Sequence, residues 1–264
     1  MFFIIQFHIF LLVVWWWIQY RWWKYNLRYQ KNIIPVGLNN AEILYNLFET
    51  GDIILNRGEY QVWNHPMYYY VLYCSFSRAI FTHSGVLLKD PINKKLYIIH
   101  CSPQFKKIRD LFGDDPMPHA FIITDLARYV QQYKGTTLIR RQTRDKINSN
   151  KSKEMTELAQ NICHEYKTNG YRFSRLGTLV SRFFGQYTSS TKKEVHCSEF
   201  AGIVLQKMGL IPDSLNAWYL VPDSFSIEKN PNMPGYEPQY FYIKQDLLFD
   251  KAIDWISKRR HVLT

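Results

Sequence analysis

The sequence predicts an α+β fold, and three observations carry that expectation. Short strand-like and helix-like segments follow one another without the regular alternation that builds a parallel sheet. Residues 84–99 read as a hairpin: two apolar runs, Ser84 to Leu88 and Leu96 to Ile99, enclose the turn-forming stretch Lys89-Asp90-Pro91-Ile92-Asn93-Lys94-Lys95. Residues from Cys197 to Met208 read as a helix, because Cys197, Phe200, Ala201, Val204, Leu205 and Met208 recur at helical spacing and Gly209 closes the run.

The remaining elements follow in order. Asn39 or Asn40 caps a short helix bearing Ile43, Leu44, Leu47 and Phe48, and Gly51-Asp52 turns into the strand Ile53-Ile54-Leu55. Residues 68–81 are apolar and read as helical. Residues 124–133 read as a helix started by Thr or Asp, and residues 135–141 as a strand. The charged stretch 142–153 suits a flexible connection between halves. Helices are expected over about residues 152–166, 175–184 and 247–256, a mobile loop over 186–194, and a last strand over 240–243.

Phe2 to Ile18 are apolar except for Gln6 and His8, and Trp15, Trp16, Trp17, Trp22 and Trp23 resemble an aromatic belt. Arg21, Lys24, Arg28 and Lys31 follow, with no basic stretch before the run and no small-residue cleavage site after it. The expectation is a transmembrane anchor with its basic flank over residues 1–31, and one soluble domain over residues 32–264 on the cytosolic side. An apolar content of 47% against 21% charged residues suits a globular domain rather than a disordered one. The net charge of +11 is expected to face an anionic membrane surface; no recognition motif supports specific nucleic-acid binding. Cys74, Cys101, Cys163 and Cys197 form no C-x-x-C pair, so free thiols in a reducing compartment are expected.

Cys197 falls in the first turn of its helix. A thiol there feels the positive end of the helix dipole, and the unpaired N–H groups of that turn can stabilise an oxyanion. A plain core cysteine at a helix start would show the same pattern. The hairpin adds a second element: a turn centred near Pro91 and Ile92 sets His83 opposite His100, so that one imidazole could take the thiol proton while the other orients it. A slip of one residue would separate them.

The ordered set Gly51-Asp52-Ile53-Ile54-Leu55, Thr82-His83-Ser84-Gly85-Val86, Leu96-Tyr97-Ile98-Ile99-His100 and His196-Cys197-Ser198-Glu199-Phe200, followed by Val221-Pro222-Asp223-Ser224-Phe225, resembles the permuted branch of the NlpC/p60 superfamily of papain-like thiol hydrolases. That branch includes bacterial lipoprotein-associated, poxvirus and lecithin–retinol acyltransferase-like members. The resemblance covers about residues 50–225 and implies a circularly permuted papain-like fold, with an antiparallel sheet packed against helices. By motif it implies Cys197 as nucleophile, His83 as general base and His100 at the third, polar position, where many members carry an acid. Asp52 would be a turn residue, and Glu199 would point away from the sulfur.

The implied reaction is acyl transfer through an acyl-enzyme on a peptide, amide or lipid ester bond, without metal or cofactor. Richness in Ile, Asn, Lys and Tyr suggests an AT-rich genome and, with the poxvirus members, a viral membrane. The sequence is silent on the oligomeric state. The competing classes are an inactive tethered scaffold, and a zinc site made from His83, His100 and Cys197 with His196 or Cys101.

Overall fold

The computed structural model describes residues 6, 10, 13–17, 33–37, 41–58, 81–102, 120–133, 135–143, 148–174 and 193–244. The helices expected at 68–81, 175–184 and 247–256, the body of the 186–194 loop, and the basic flank at 21–31 lie largely or wholly outside these residues.

Strand formation follows the β-branched and aromatic runs. In chain order the strands are β1 (Ile33–Gly37), β2 (Ile53–Gly58), β3 (His83–Asp90), β4 (Lys95–Ser102), β5 (Ala120–Asp125), β6 (Gly135–Arg140), β7 (Arg172–Phe173), β8 (Glu194–Val195) and β9 (Tyr240–Lys244). The helices are α1 (Ala41–Leu47), α2 (Leu126–Gln132), α3 (Ser149–Thr168) and α4 (Cys197–Lys207). Seven strands form one sheet in the order β1-β9-β6-β2-β3-β4-β5, and β7 and β8 form a separate two-stranded pair.

The class is α+β, as the sequence predicts, but the sheet is not wholly antiparallel. β1 runs parallel to β9 at one edge, while the other pairings of the main sheet are antiparallel. This mixed edge joins segments about two hundred positions apart and leaves no local pattern to read.

The expected N-terminal transmembrane helix is corrected: among the described residues no helix is long and apolar enough to cross a membrane. The physical reason is visible in the length. Seventeen residues at a helical rise reach only about 25 Å, against about 30 Å of hydrocarbon, and Gln6 and His8 interrupt the run. The single-pass placement with a cytosolic domain, viral or otherwise, falls with it.

Two further corrections are local. β5 occupies the first part of the stretch expected to be one helix, and Asp125 caps α2 by accepting the Arg128 N–H at 3.0 Å. The expected connection after Gln142 is helical from Ser149 onward, with Asn148 as its cap.

The two faces of the sheet bury different partners, as the two-residue alternation of strands requires. Ile53, Leu55, Val86, Leu88, Ile99 and Cys101 pack with α3 and α4. Ile54, Leu87, Ile98 and Ile122 pack with Leu44 and Phe48 near α1 and with Tyr129 and Val130 of α2.

The segment 222–237 is tied to β6 by the fully buried Arg140. Its guanidinium donates to the carbonyls of Glu237 and Phe225, both at 3.0 Å, and of Pro231 at 3.2 Å. Three carbonyl acceptors compensate the loss of water.

Candidate active site

Helix α4 begins at Cys197, as its apolar periodicity predicts. His196 caps it with its ring: Nδ1 accepts the Glu199 N–H at 3.2 Å, and the Glu199 carboxylate accepts the His196 N–H at 3.3 Å. This is a reciprocal capping box with imidazole in place of a hydroxyl. Nε2 of His196 lies 3.3 Å from the Trp218 carbonyl and therefore carries the proton. His196 and Glu199 also approach to 3.9 Å, but this is not an ion pair. Burial holds His196 down at about 4, hence neutral, and pushes the Glu199 carboxyl up to about 8. Glu199 is thus spent on the cap.

The cap consumes the Glu199 N–H, and the Phe200 N–H bonds to the His196 carbonyl at 3.0 Å. The main-chain N–H groups of Cys197 and Ser198, and of Ser84 on β3, pull the Cys197 thiol down, while the Ser198 hydroxyl donates to the Leu220 carbonyl at 2.9 Å. Burial dominates the thiol nonetheless and pushes it up to about 11, against the pull of these donors. Cys197 is 3% exposed. The helix start therefore supplies donors suited to a thiolate, in a site dry enough to keep the resting group a thiol.

The two histidines are in direct contact. Nε2 of His83 lies 3.1 Å from Nδ1 of His100, and the rings meet edge to face at 5.1 Å between centroids. The register that achieves this differs from the expected one by two residues. Val86 faces Ile99 and Asp90 faces Lys95, so His100 lies opposite Gly85 and His83 is its diagonal neighbour. A shift of two keeps both side chains on one face, where a shift of one would have parted them. Close approach of β4 is possible because position 85 is glycine: a Cβ there would stand 3.0 Å from the Ile99 carbonyl oxygen and 2.9 Å from Ile98.

The thiol and the imidazoles reach the sheet from different faces. Cys197 belongs to the core of α3 and α4, whereas the His100 ring packs 5.0 Å from Tyr129 on the opposite side. They share the rim of β3: α4 packs on that strand, and the N–H of the His83–Ser84 peptide pulls the Cys197 thiol down. With Nε2 of His83 turned to His100, the remaining ring nitrogen is Nδ1, the one nearer its own main chain and hence nearer that peptide. Burial lowers His83 to about 4 and places His100 well below its usual range, so both rings are neutral at pH 7.

Several contributors carried no sequence signal. The Ser84 N–H pulls on the thiol only because α4 packs on β3. Tyr129 donates its hydroxyl to Asn56 Oδ1 at 2.7 Å, and Asn56 donates to Thr137 Oγ1 at 2.8 Å beneath the histidines. Asp223 accepts the Phe81 N–H at 3.0 Å and so anchors the approach to β3, which the resemblance of residues 221–225 hinted at without giving a partner. Asp52 is a buried turn residue accepting the N–H groups of Gln142 and Glu49 at 2.9 and 2.8 Å. Cys101 and Cys163 are buried free thiols. Among the described residues no three His, Cys, Asp or Glu side chains converge as a metal site.

No family model matches the sequence, and no curated protein matches it. Among solved structures, the chain has a likeness to the crystal structure of the metalloprotein YiiX from Escherichia coli O157:H7, a protein described as DUF1105. The two are 15% identical with a TM-score of 0.36, over 75% of this chain and 98% of that one. A likeness of that size says nothing about chemistry.

Proposed function

We propose that this chain is a thiol acyl hydrolase or acyltransferase, with Cys197 as nucleophile, His83 as general base and His100 orienting His83. The observation that carries the reading is the convergence at the rim of β3. The start of α4 packs on β3 beside the His83–Ser84 peptide, whose N–H pulls the Cys197 thiol down, and His83 is hydrogen-bonded to a second imidazole. The resemblance of the ordered Cys and His motifs to the permuted NlpC/p60 superfamily points to the same three residues.

The chemistry runs from a neutral pair. As the sulfur attacks a carbonyl carbon, its proton passes around the rim of β3 to Nδ1 of His83 by way of one water, and the positive charge is shared with His100. The carbonyl oxygen becomes an oxyanion, for which the N–H groups of Cys197 and Ser198 are the available first-turn donors. The leaving amine or alcohol takes the proton back from His83, and an acyl-enzyme remains. Water or an acceptor nucleophile then adds to the thioester with His83 as base, releasing the acid or the new ester or amide and restoring the thiol. The substrate class is a peptide, another amide, or a lipid ester.

One observation favours a second reading, an inactive scaffold of the same architecture: Cys197 is almost wholly buried and its thiol is held protonated. A thiol-reactive acyl probe separates the two. Wild type should be labelled on Cys197 and Cys197→Ala should not. Equal labelling of the two proteins removes the nucleophile assignment and leaves the scaffold.

A further inference from the structure

The His83–His100 hydrogen bond is shared between two ring nitrogens, so a single proton decides which imidazole donates. The choice matters chemically. A His83 that carries its proton on Nε2 has a bare Nδ1 and can act as a base. A His83 that carries it on Nδ1 cannot take another proton there.

His100 is fully buried, and its Nε2 has no hydrogen-bond partner among the described residues. Among the described residues, the Tyr129 ring packs on His100 and is itself held in place. Tyr129 meets His100 at 5.0 Å between centroids with the planes 67° apart, a T-shaped contact. Tyr129 is fully buried, stacks on Tyr133 at 5.6 Å, and is tethered at its far end by the hydroxyl bond to Asn56. Asn56 in turn pairs with His83 across β2 and β3, and its carbonyl accepts the Thr82 N–H at 2.9 Å. The ring that packs on His100 is thus braced against the strand end that carries His83.

We propose that Tyr129 is a positioning residue whose ring face takes the Nε2–H of His100, which leaves His100 Nδ1 as acceptor, His83 Nε2–H as donor and His83 Nδ1 bare. The physical reason is the sign of the aromatic quadrupole. A ring face is negative, so it attracts an N–H and repels a nitrogen lone pair. The opposite tautomer would put a lone pair in the same buried place, where no donor among the described residues meets it. The inference rests on the catalytic reading above for its purpose, but not for its test.

Full-length protein labelled with nitrogen-15 at histidine reports the protonated nitrogen of each ring directly, with His83→Gln and His100→Gln variants to assign the signals. The expected wild-type result at pH 7 is protonation of both rings on Nε2, with the His100 Nε2–H shifted upfield by the tyrosine ring current. Tyr129→Phe keeps the ring face and should keep the tautomers and the upfield shift. Tyr129→Leu removes the face; it should abolish the shift and change the His100 tautomer ratio about two- to fivefold. A wild-type His100 protonated on Nδ1 overturns the proposal, as does a Phe variant that loses the upfield shift. Should the Leu variant fail to fold, the wild-type and Phe spectra decide alone. Failure of the catalytic reading shows elsewhere, as equal acyl-probe labelling of wild type and Cys197→Ala, and leaves these spectra unchanged.

Discussion

Replacing His83 by Asn should turn a nearly pH-independent reaction into one that climbs with pH. Burial pushes the Cys197 thiol up to about 11 and His83 down to about 4. A thiol titrating at about 11 is ionised to only about one part in 10⁴ at pH 7, against about 3% for an unperturbed cysteine. Free thiolate therefore cannot carry the reaction near neutrality, and the proton must leave as the new bond forms. That requires a neutral imidazole, which His83 provides at all pH values above about 4.

The rate at which a neutral acyl probe labels wild type should be flat from about pH 5 to 9 and should fall as His83 protonates below that range. In His83→Asn only pre-formed thiolate reacts, so the rate should rise nearly tenfold per pH unit, and at pH 7 it should be lower by about 10²- to 10⁴-fold. Labelling progress followed by intact-protein mass spectrometry across pH 5 to 10 gives both profiles. A wild-type rate that rises tenfold per unit with no plateau would refute the base assignment. An acid limb near 6.5 would refute the desolvation of His83.

Two further outcomes concern stability. His83, His100 and His196 all titrate below their unfolded value of about 6.5. Between about pH 4 and 6.5 the unfolded chain therefore binds protons that the folded rings refuse, and stability falls with acid. Asp52 and Glu199 are raised by burial to about 7 and about 8, so the folded state keeps protons that the unfolded state releases above about 4, and stability falls with base until those values are passed. Three imidazoles outweigh two carboxyls below 6.5, which places the maximum contributed by these five groups near pH 6.5. Melting temperatures across pH 4 to 9 check this, and a maximum at pH 8 or above contradicts it. Separately, Arg140→Leu removes three hydrogen bonds to carbonyls in 225–237 and should cost about 3–5 kcal/mol. A urea-melt difference below about 1 kcal/mol would show that the segment is held by other means.

What could be read from the chain was what short-range periodicity encodes. Helix α4 was legible because its apolar residues recur every three to four positions and Gly209 ends it, so Cys197 had to fall in its first turn. The hairpin of β3 and β4 was legible because Pro91 and Asn93 punctuate two apolar runs; Asp90 closes the turn by accepting the N–H groups of Ile92 and Asn93. Its register was not, since turn residues bound a loop without fixing which residues pair, and the observed pairing lies two positions away. The apolar N-terminus misled because composition alone resembles a span, while length decides whether one forms.

Local periodicity was enough for an α+β chain with a cysteine at a helix start and two histidines on one face of a hairpin. Packing across the fold set β1 beside β9, the start of α4 against β3 near Ser84, and Tyr129 on the far side of His100. The reason is range. Helical and strand periods are set by bonds between near neighbours, whereas these contacts join segments tens to hundreds of positions apart, chosen by which apolar faces bury together.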